Sequence, residues 1–366
     1  MRVKLKDITK FSKGTQINGE NLIDDGAYSY LNGGINPSGK WNEFNVAENT
    51  VTISEGGNSS GYVNYMNKAF WCGAHCYYLY DGPKNSKYLY YALKSQQERL
   101  FRIRSGACMP NIKKSDLGNF IIEYEQDETR QEEVVEVLEK CELLIEDYKK
   151  ELDLLDEAVK ARFVELFGDE NNSKNWDVVN VEEVADVQVG VVIKPSQYYT
   201  DKSEGVRTFR SLNIGAGFIK DNDWVYFTKE GHQKNSKSIL KKDDLLIVRS
   251  GAPGTACVVT EEYAGCNAVD IIIAHPDCKK VNPYYLCTFT NMPHGKKQID
   301  EGIGGAAQQH FNVGKYNKLQ LMLPPKTLQD EFVGFVKQVD KSKVEIQKSL
   351  EKTQQLYDSL MQKYFG

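Results

Sequence analysis

Two stretches of the 366-residue sequence, residues 126–168 and 326–366, constrain the fold most strongly, because each has the pattern of one long helix. Both carry apolar residues in alternating steps of four and three, the spacing that forms the seam of a coiled-coil helix. Apart from Gly334, neither stretch has a glycine or proline before its last residue. Each can therefore form a helix of about 39 residues and about 58 Å.

We predict that the two helices pack on each other along these seams. The predicted coiled-coil interface residues are Leu138, Ile145, Leu152, Val159, Val336, Ile346, Leu350 and Tyr357. Lys343 and Thr353 interrupt the second seam, where polar residues are expected to fix the register at some cost in stability.

The two stretches are copies of one another within an internally repeated sequence. Shifting the second stretch by 198 positions aligns Gln131 with Gln329 and Phe167 with Phe365. Upstream, a shift of 199 aligns residues 106–122 with 305–321, and the segment TISEGGNSSG (52–61) faces IVRSGAPGTA (247–256). The chain is therefore a duplicated unit, in which a variable globular module precedes a long helix twice.

Within each module, short β-type runs alternate with glycine-rich turns, and helical stretches are few, which predicts an α+β fold. The predicted strands include 51–54, 74–80, 245–249 and 268–274, and one predicted helix covers 88–102. The predicted organisation is a first globular domain at 1–125, a central helix at 126–168, a second globular domain at 169–325 and a C-terminal helix at 326–366.

Charge is distributed unevenly along the chain. The net charge is −5, yet residues 125–170 alone carry −11, which leaves the remainder at +6. The acidic first helix would repel phosphate, so nucleic acid would have to be bound by the globular modules. The eight cysteines form no CxxC pair, and no apolar run approaches the ~18 residues of a membrane helix. We expect a soluble cytoplasmic protein with free thiols and no membrane partner.

Sequence motifs for catalysis and metal binding are weak throughout the chain. The segment NPYY (282–285) is similar to a methyltransferase motif, but a helix start at Pro283 explains it better. His75 lies between Cys72 and Cys76, which suggests either a metal site or core packing among the neighbouring aromatic residues, and we favour packing. No phosphate-binding loop is present. We predict no catalytic residue, no metal and no cofactor bound by this chain.

The whole chain resembles the DNA specificity (S) subunits of type I restriction–modification systems. The resemblance is carried by the two junctions at 106–135 and 305–333, by 52–65, by GVVIKPSQYY (190–199) and by LLIVRSGAPGT (245–255). It implies two target recognition domains joined by two long conserved helices, packed as an antiparallel coiled coil with an internal pseudo-twofold repeat.

This resemblance implies a non-catalytic DNA-binding subunit that reads a bipartite, asymmetric target, with one half-site per domain. Two methyltransferase (M) subunits would bring S-adenosylmethionine and methylate adenine, and an ATP- and Mg²⁺-dependent restriction (R) subunit could join them. One alternative is a non-enzymatic scaffold whose two modules bind proteins. A second is a self-sufficient nuclease or methyltransferase with unrecognisable motifs.

If the chain is such a subunit, polar residues in the glycine-rich loops and before the long helices are the candidates for double-stranded DNA contact. Arginine and asparagine suit base edges, whereas lysine and serine more often contact phosphate. The candidates are Asn32, Lys40, Asn58, Ser59, Lys113, Lys114, Arg207, Arg210, Asn213, Arg249, Ser250, Gln308 and Gln309.

Overall fold

The computed structural model describes residues 1–106, 108–303 and 311–366. The chain forms two compact units. Unit 1 consists of Met1–Lys150 and Ile346–Gly366, and unit 2 consists of Glu151–Glu345. Each unit therefore contains one globular part and segments of both long helices.

Unit 1 begins with a short strand and contains mixed strands and helices up to the first long helix. Its strands are β1 (Arg2–Lys4), β2 (Lys10–Lys13), β3 (Tyr28–Leu31), β4 (Gly39–Trp41), β5 (Thr50–Ser54), β6 (Val63–Met66), β7 (Phe70–Cys72), β8 (Cys76–Tyr80) and β9 (Ile121–Glu123). Its helices are α1 (Leu5–Ile8), α2 (Ser86–Lys94), α3 (Gln97–Arg102), α4 (Lys114–Gly118) and the start of α5 (Glu128–Phe167).

Unit 2 has the same alternation of short strands and helices. Its strands are β10 (Val178–Asn180), β11 (Ala185–Val189), β12 (Tyr199–Thr200), β13 (Val206–Phe209), β14 (Val225–Phe227), β15 (Leu245–Val248), β16 (Ala256–Val258), β17 (Asn267–Ala268), β18 (Ile271–Pro276) and β19 (Gln320–Met322). Its helices are α6 (Lys229–Lys234), α7 (Pro283–Asn291), α8 (Pro293–Ile303), α9 (Val313–Asn317) and the start of α10 (Lys326–Phe365).

The sheets of the two units share one topology. The main sheet has the order β2-β8-β5-β6 in unit 1 and β11-β18-β15-β16 in unit 2, with antiparallel pairing throughout. A second sheet contains a parallel pair in each unit, β3 with β7 and β13 with β17. The short pairs β1-β9 and β10-β19 also correspond. The predicted α+β fold with an internal repeat is confirmed.

Strand composition explains why the main sheets lie inside their units. All four residues of β15 are buried, and β18 buries its first four residues, as expected for apolar strands covered on both faces. Helix α7 covers the unit 2 core and α2 covers the unit 1 core, contributing for example Tyr285 and Tyr91, which are fully buried. These cores hold the strand ends and their loops in place.

The long helices run antiparallel where they meet within a unit. In unit 1, the Glu142 carboxylate accepts a hydrogen bond from Tyr357 at 3.0 Å, and Val134 shares the core with Phe365. In unit 2, Lys343 pairs with Asp156 and Arg162 pairs with Glu331. Along these contacts, residue numbers increase in α5 while they decrease in α10, which confirms the antiparallel packing. Lys343 meets a carboxylate from the other helix, which explains how the second seam accepts a charge.

All of the predicted seam residues are at least half-buried. Leu138 and Ile145 are buried in unit 1, and the rest are half-buried: Leu152, Val159, Val336, Ile346, Leu350 and Tyr357.

Three expectations from the sequence need correction. The strand predicted over 268–274 is interrupted, because β17 ends at Ala268, Asp270 has φ +49 and β18 begins at Ile271. The helix predicted over 88–102 is two helices, α2 and α3, because the chain turns at Ser95 and Gln96. The repeat alignment at 52–61 is also one residue out of register. Ser54 pairs with Cys76, while Val248 pairs with Ile271, so Glu55 and not Ser54 corresponds to Arg249.

Candidate nucleic-acid interface

Three loop segments of unit 1 meet at one end of its main sheet, where β2 and β5 end and β8 begins. The hydroxyls of Ser54 and Ser59 both donate to the Gly33 carbonyl, the second at 2.5 Å. The Asn64 amide donates to the Ile35 carbonyl at 3.1 Å. These bonds hold residues 32–38 against the end of β5, the start of β6 and the loop between those two strands.

The third segment closes against the other two through its backbone. Ile112 N–H donates to the Glu55 carbonyl at 2.9 Å, and the Arg104 guanidinium donates to the Asn58 carbonyl at 3.3 Å. We refer to residues 32–38, 55–62, 104–106 and 108–113 together as loop cluster 1. Within the cluster, Ser60 N–H donates to the Gly57 carbonyl at 3.0 Å and Ser105 N–H donates to the Asn111 carbonyl at 2.8 Å, so the side chains that it projects stand on a hydrogen-bonded backbone.

A glycine is required at the centre of loop cluster 1. Gly33 has φ +83, and a Cβ at that position would lie 2.3 Å from the His75 carbonyl oxygen. A side chain at position 33 would be strained and would clash with the His75 backbone, so the loop at 32–34 could not approach the turn that contains His75 as closely as it does. The NGG sequence at 32–34 therefore has a steric explanation.

Unit 2 assembles its loops at the corresponding end of its sheet. Val191 N–H donates to the Ala268 carbonyl at 2.8 Å, as Thr15 N–H does to Cys72 at 2.9 Å in unit 1. Phe311 N–H donates to the Arg249 carbonyl at 3.0 Å, matching the bond from Ile112 to Glu55. We refer to residues 190–194, 210–219, 249–255 and 269–270 as loop cluster 2. The same backbone bonds thus support different loops in the two units.

Exposed apolar side chains stand on both clusters. Ile35 and Met109 are exposed in loop cluster 1, and Ile193, Leu212 and Phe218 are exposed in loop cluster 2. Apolar side chains exposed together on one surface often mark interaction sites, so these residues are further candidates for contact with a partner. Sequence reasoning missed them because it considered only polar side chains.

Charged side chains at the strand ends are paired. In unit 1, Glu55 forms an ion pair with Lys13 and lies 3.6 Å from the Nδ1 atom of His75. In unit 2, Arg249 pairs with Asp270 and also donates from Nε to the Phe311 carbonyl at 3.3 Å. Burial, and secondarily the Glu55 carboxylate, raises the pKa of nearby Tyr77 to about 12. Tyr77 therefore stays neutral at physiological pH.

The residues predicted to contact DNA in unit 1 fall into two groups. The exposed ones are Lys40, Asn58, Lys113 and Lys114. Asn32 and Ser59 are half-buried and have internal partners, because the Asn32 side-chain oxygen accepts from His75 N–H at 3.1 Å and Ser59 donates to Gly33. Asn32 and Ser59 therefore organise loop cluster 1, and the exposed residues remain candidates.

In unit 2, two of the predicted arginines are engaged by neighbouring side chains or backbone. Arg207 lies over the rings of Trp224 and Tyr263, at 5.3 and 5.4 Å from their centroids. Arg210 donates to the Asp223 carbonyl. Arg207 thus has an evident packing role as well as a charge.

The remaining unit 2 candidates differ in their surroundings. Arg249 and Ser250 are half-buried side by side in loop cluster 2. Gln308 and Gln309 lie outside the described residues.

Asn213 is a correction. It is fully buried, its side-chain oxygen accepts from Arg210 N–H at 2.9 Å, and its amide donates to the Asn222 carbonyl at 2.6 Å. The Asn213 side chain has no exposed surface, and both its oxygen and its nitrogen have partners within the protein, so it cannot reach a base edge. The prediction that Asn213 contacts DNA is wrong, because the residue closes the turn on which Arg210 is mounted.

The motifs with weak catalytic or metal-binding signals have structural explanations. The Asn282 side chain accepts from Tyr284 N–H at 3.0 Å at the start of α7, with Pro283 as the first residue of the helix, so the helix-start interpretation of NPYY is confirmed. Cys72 and Cys76 are buried while His75 is exposed. Within the described ranges, no cluster of three histidine, cysteine or acidic residues could hold a metal ion.

In the described part of the chain, no helix is both long enough and apolar enough to cross a bilayer.

The fold and the loops together define a class of protein. It is a duplicated α+β chain in which the same sheet topology occurs twice, each copy carries a different loop cluster, and two long helices pack antiparallel. The sequence matches the family described as type I restriction modification DNA specificity domain over residues 1–155 and 173–356. These ranges cover most of the chain, so the chain belongs to this family.

Similar proteins agree with this assignment. A Mycoplasma pneumoniae protein assigned as a type I specificity subunit is 38% identical over 145 residues, which are 39% of this chain and 38% of that protein. A Mycoplasma genitalium protein with the same assignment is 36% identical over 163 residues, 40% of this chain and 42% of that protein. The matched segments thus span about two-fifths of these relatives.

A solved structure has the same fold. It is the crystal structure of a type I restriction–modification system S subunit from M. genitalium, 21% identical, with a TM-score of 0.68 and coverage of 100% of this chain and 96% of that one.

Proposed function

We propose that this chain is the DNA specificity subunit of a type I restriction–modification complex. It binds double-stranded DNA through loop clusters 1 and 2, and each cluster reads one half of a bipartite target. The single observation that carries this proposal is the repeated sheet with loops of different chemistry at the same end. One scaffold used twice with unlike loops suits a target made of two unlike half-sites.

Phosphate contact is assigned to the exposed lysines. Lys40 and Lys113 stand on or beside loop cluster 1, and Lys194 and Lys220 do so in unit 2, all with exposed side chains. Lysine acts as a flexible point charge that suits phosphate oxygens and carries no sequence information. These residues would set the position of each unit on the duplex and make affinity fall steeply with salt.

Base reading is assigned to the polar tips of the loops. Asn58 is exposed in loop cluster 1, and an asparagine amide can bond both N6 and N7 of adenine in the major groove. Exposed Ile35 and Phe218 offer apolar contacts of the kind that a thymine methyl group makes.

The chain itself is proposed to be non-catalytic. Two methyltransferase subunits would supply S-adenosylmethionine and take the target adenine out of the base stack, as modification of a paired base requires. A restriction subunit using ATP and Mg²⁺ would add cleavage. The complex would work in the cytoplasm, where its DNA target lies.

The outward side of α5 is the proposed docking surface for a methyltransferase subunit. Leu143 and Leu144 are exposed there among acidic residues. Exposed leucines beside carboxylates favour a partner that covers apolar area and presents basic groups at its rim.

Methylome sequencing of the host with and without this chain tests the proposal. Loss of one bipartite N6-methyladenine motif on deletion, restored by complementation, is the expected result. An unchanged methylome while the partner subunits are expressed would overturn it.

Binding measured at several salt concentrations separates the DNA-binding function from the protein scaffold. A DNA-binding subunit should lose duplex affinity steeply between 50 and 200 mM salt, by about 10³-fold or more if it makes six or more phosphate contacts. A scaffold would show no duplex affinity to lose. Methyl transfer by the purified chain alone would instead establish a self-sufficient enzyme.

A further inference from the structure

One pair of equivalent positions brings a carboxylate next to a basic side chain in both units, with the two residue types exchanged. The first position directly follows β5 or β15 and holds Glu55 in unit 1 and Arg249 in unit 2. The second directly precedes β8 or β18 and holds His75 and Asp270. Sheet register makes these positions equivalent, because Ser54 pairs with Cys76 as Val248 pairs with Ile271.

The pair in unit 2 holds an arginine in a defined orientation. The Arg249 side chain is 18% exposed, and its guanidinium bonds the carboxylate of Asp270 and the carbonyl of Phe311. Asp270 has φ +49, a conformation that aspartate tolerates better than most residues. A guanidinium has five donors, so these two bonds leave others able to reach a partner.

The pair in unit 1 reverses the charge at the same place. The Glu55 side chain is 15% exposed, and it is flanked by Lys13 and by His75, whose side chain is 61% exposed. The carboxylate has two oxygens with about four acceptor sites, so it can bond Lys13 and still accept from another donor.

Stability alone does not account for this arrangement. Ion pairs with an exposed member contribute little to folding, roughly 0–1 kcal/mol, and a pair of either polarity would serve equally well. A functional contact, by contrast, depends on the sign of the charge, because an arginine donates to a base edge and a carboxylate accepts from one.

We propose that these equivalent positions determine one base in each half-site. Arg249 donates to the O6 and N7 atoms of a guanine, and Asp270 positions it. Glu55 accepts from the exocyclic amine of a cytosine or adenine in the other half-site, and Lys13 and His75 position it. This inference rests on the proposed function and specifies the base chemistry that each unit reads.

The test measures binding of the assembled complex to a panel of duplexes in which each base pair of the methylated target is replaced in turn. Arg249→Gln should lower discrimination at one guanine of one half-site by roughly 5- to 150-fold and leave the other half-site unchanged. Glu55→Gln should do the same at one position of the opposite half-site. Asp270→Asn should give a smaller loss at the Arg249 position.

Lys242→Gln is the matched control, because Lys242 also forms an ion pair in unit 2 but lies just before the start of β15, at the other end of that strand. It should leave discrimination unchanged at every position. If Arg249→Gln binds no duplex, Arg249→Lys keeps the charge without the bidentate fork and takes its place in the panel.

Two outcomes would overturn the inference and leave the proposed function intact. One is discrimination by Arg249→Gln and Glu55→Gln that equals that of the unmodified complex at every position. The other is uniform weakening at all positions with a salt slope reduced by about one, which indicates phosphate contact. A wild-type complex that discriminates among no duplexes would instead refute the proposed function.

Discussion

At the scale of single residues, the internal repeat is clearest in two buried glutamines at the starts of the long helices. The Gln131 amide donates to the Glu125 carbonyl at 2.7 Å, and the Gln329 amide donates to the Pro324 carbonyl at 2.8 Å. Gln329 also accepts from Asn282 N–H at 2.8 Å. Each glutamine thereby holds the chain that leads into its helix.

Gln329→Ala should therefore destabilise unit 2. It leaves the Pro324 carbonyl and Asn282 N–H without a partner, at about 1–3 kcal/mol for each group that stays buried. The free energy of unfolding, measured by urea denaturation, checks this. Gln347→Ala on the exposed surface of the same helix is the control and should change stability by less than about 0.5 kcal/mol. Equal stability of the two variants would contradict this role for Gln329.

Three buried or half-buried tyrosines of unit 1 predict a loss of stability in alkali. Burial raises the pKa of Tyr77, Tyr90 and Tyr124 in unit 1 to about 12 each, above the value of about 10 for an unfolded chain. Their contribution is fully present below pH 10 and is lost as the pH rises toward 12, because the unfolded chain releases these protons first. Urea unfolding at pH 8, 10 and 11 should show a falling free energy. Tyr77→Phe should make the decline shallower, and an identical decline would argue against this origin.

At the scale of elements, α5 has a buried side and an exposed side with separate roles. Leu138 is fully buried in the unit 1 core, whereas Leu143 is 59% exposed. The seam pattern predicted the burial of Leu138, and the proposed docking surface contains Leu143.

Leu138→Ala should lower the free energy of unfolding by about 2–5 kcal/mol, because a cavity replaces a buried side chain. Leu143→Ala, the matched substitution on the same helix, should change stability little and should instead weaken assembly with the methyltransferase subunits. Differential scanning calorimetry and co-purification distinguish the two effects. A large loss of stability from Leu143→Ala would contradict the assignment of that side to docking.

At the scale of the whole molecule, the proposed bipartite target predicts that helix length sets the spacer. A seven-residue insertion in both α5 and α10 lengthens each by about 10 Å, or about 3 bp of duplex. Methylome sequencing should then report the same two half-sites with a spacer about 3 bp longer. A control variant in which seven residues of each helix are replaced by seven others keeps the helix length and should leave the spacer unchanged. An unchanged spacer after the seven-residue insertion would refute this relation.

Much of the candidate interface could not be predicted, although the fold could. Seam spacing, the repeat offset and the alternation of β-type runs with glycine-rich turns can be read directly from the sequence, so the helices, the duplication and the α+β class followed from them. The roles of the loop residues could not be predicted in this way. Asn213 looked like a base-reading residue until its burial excluded it, and Glu55 was misaligned by one residue because glycine-rich turns give an alignment no apolar period to follow.

The sequence by itself determined the duplicated architecture and the paired helices, because periodic burial of apolar side chains leaves a readable pattern along the chain. Only the tertiary structure decided which loop residues are free to act and which hold the loops together. It also brought Glu55 to His75 and Arg249 to Asp270, since strand register, which no short motif encodes, sets which residues meet at the end of a sheet.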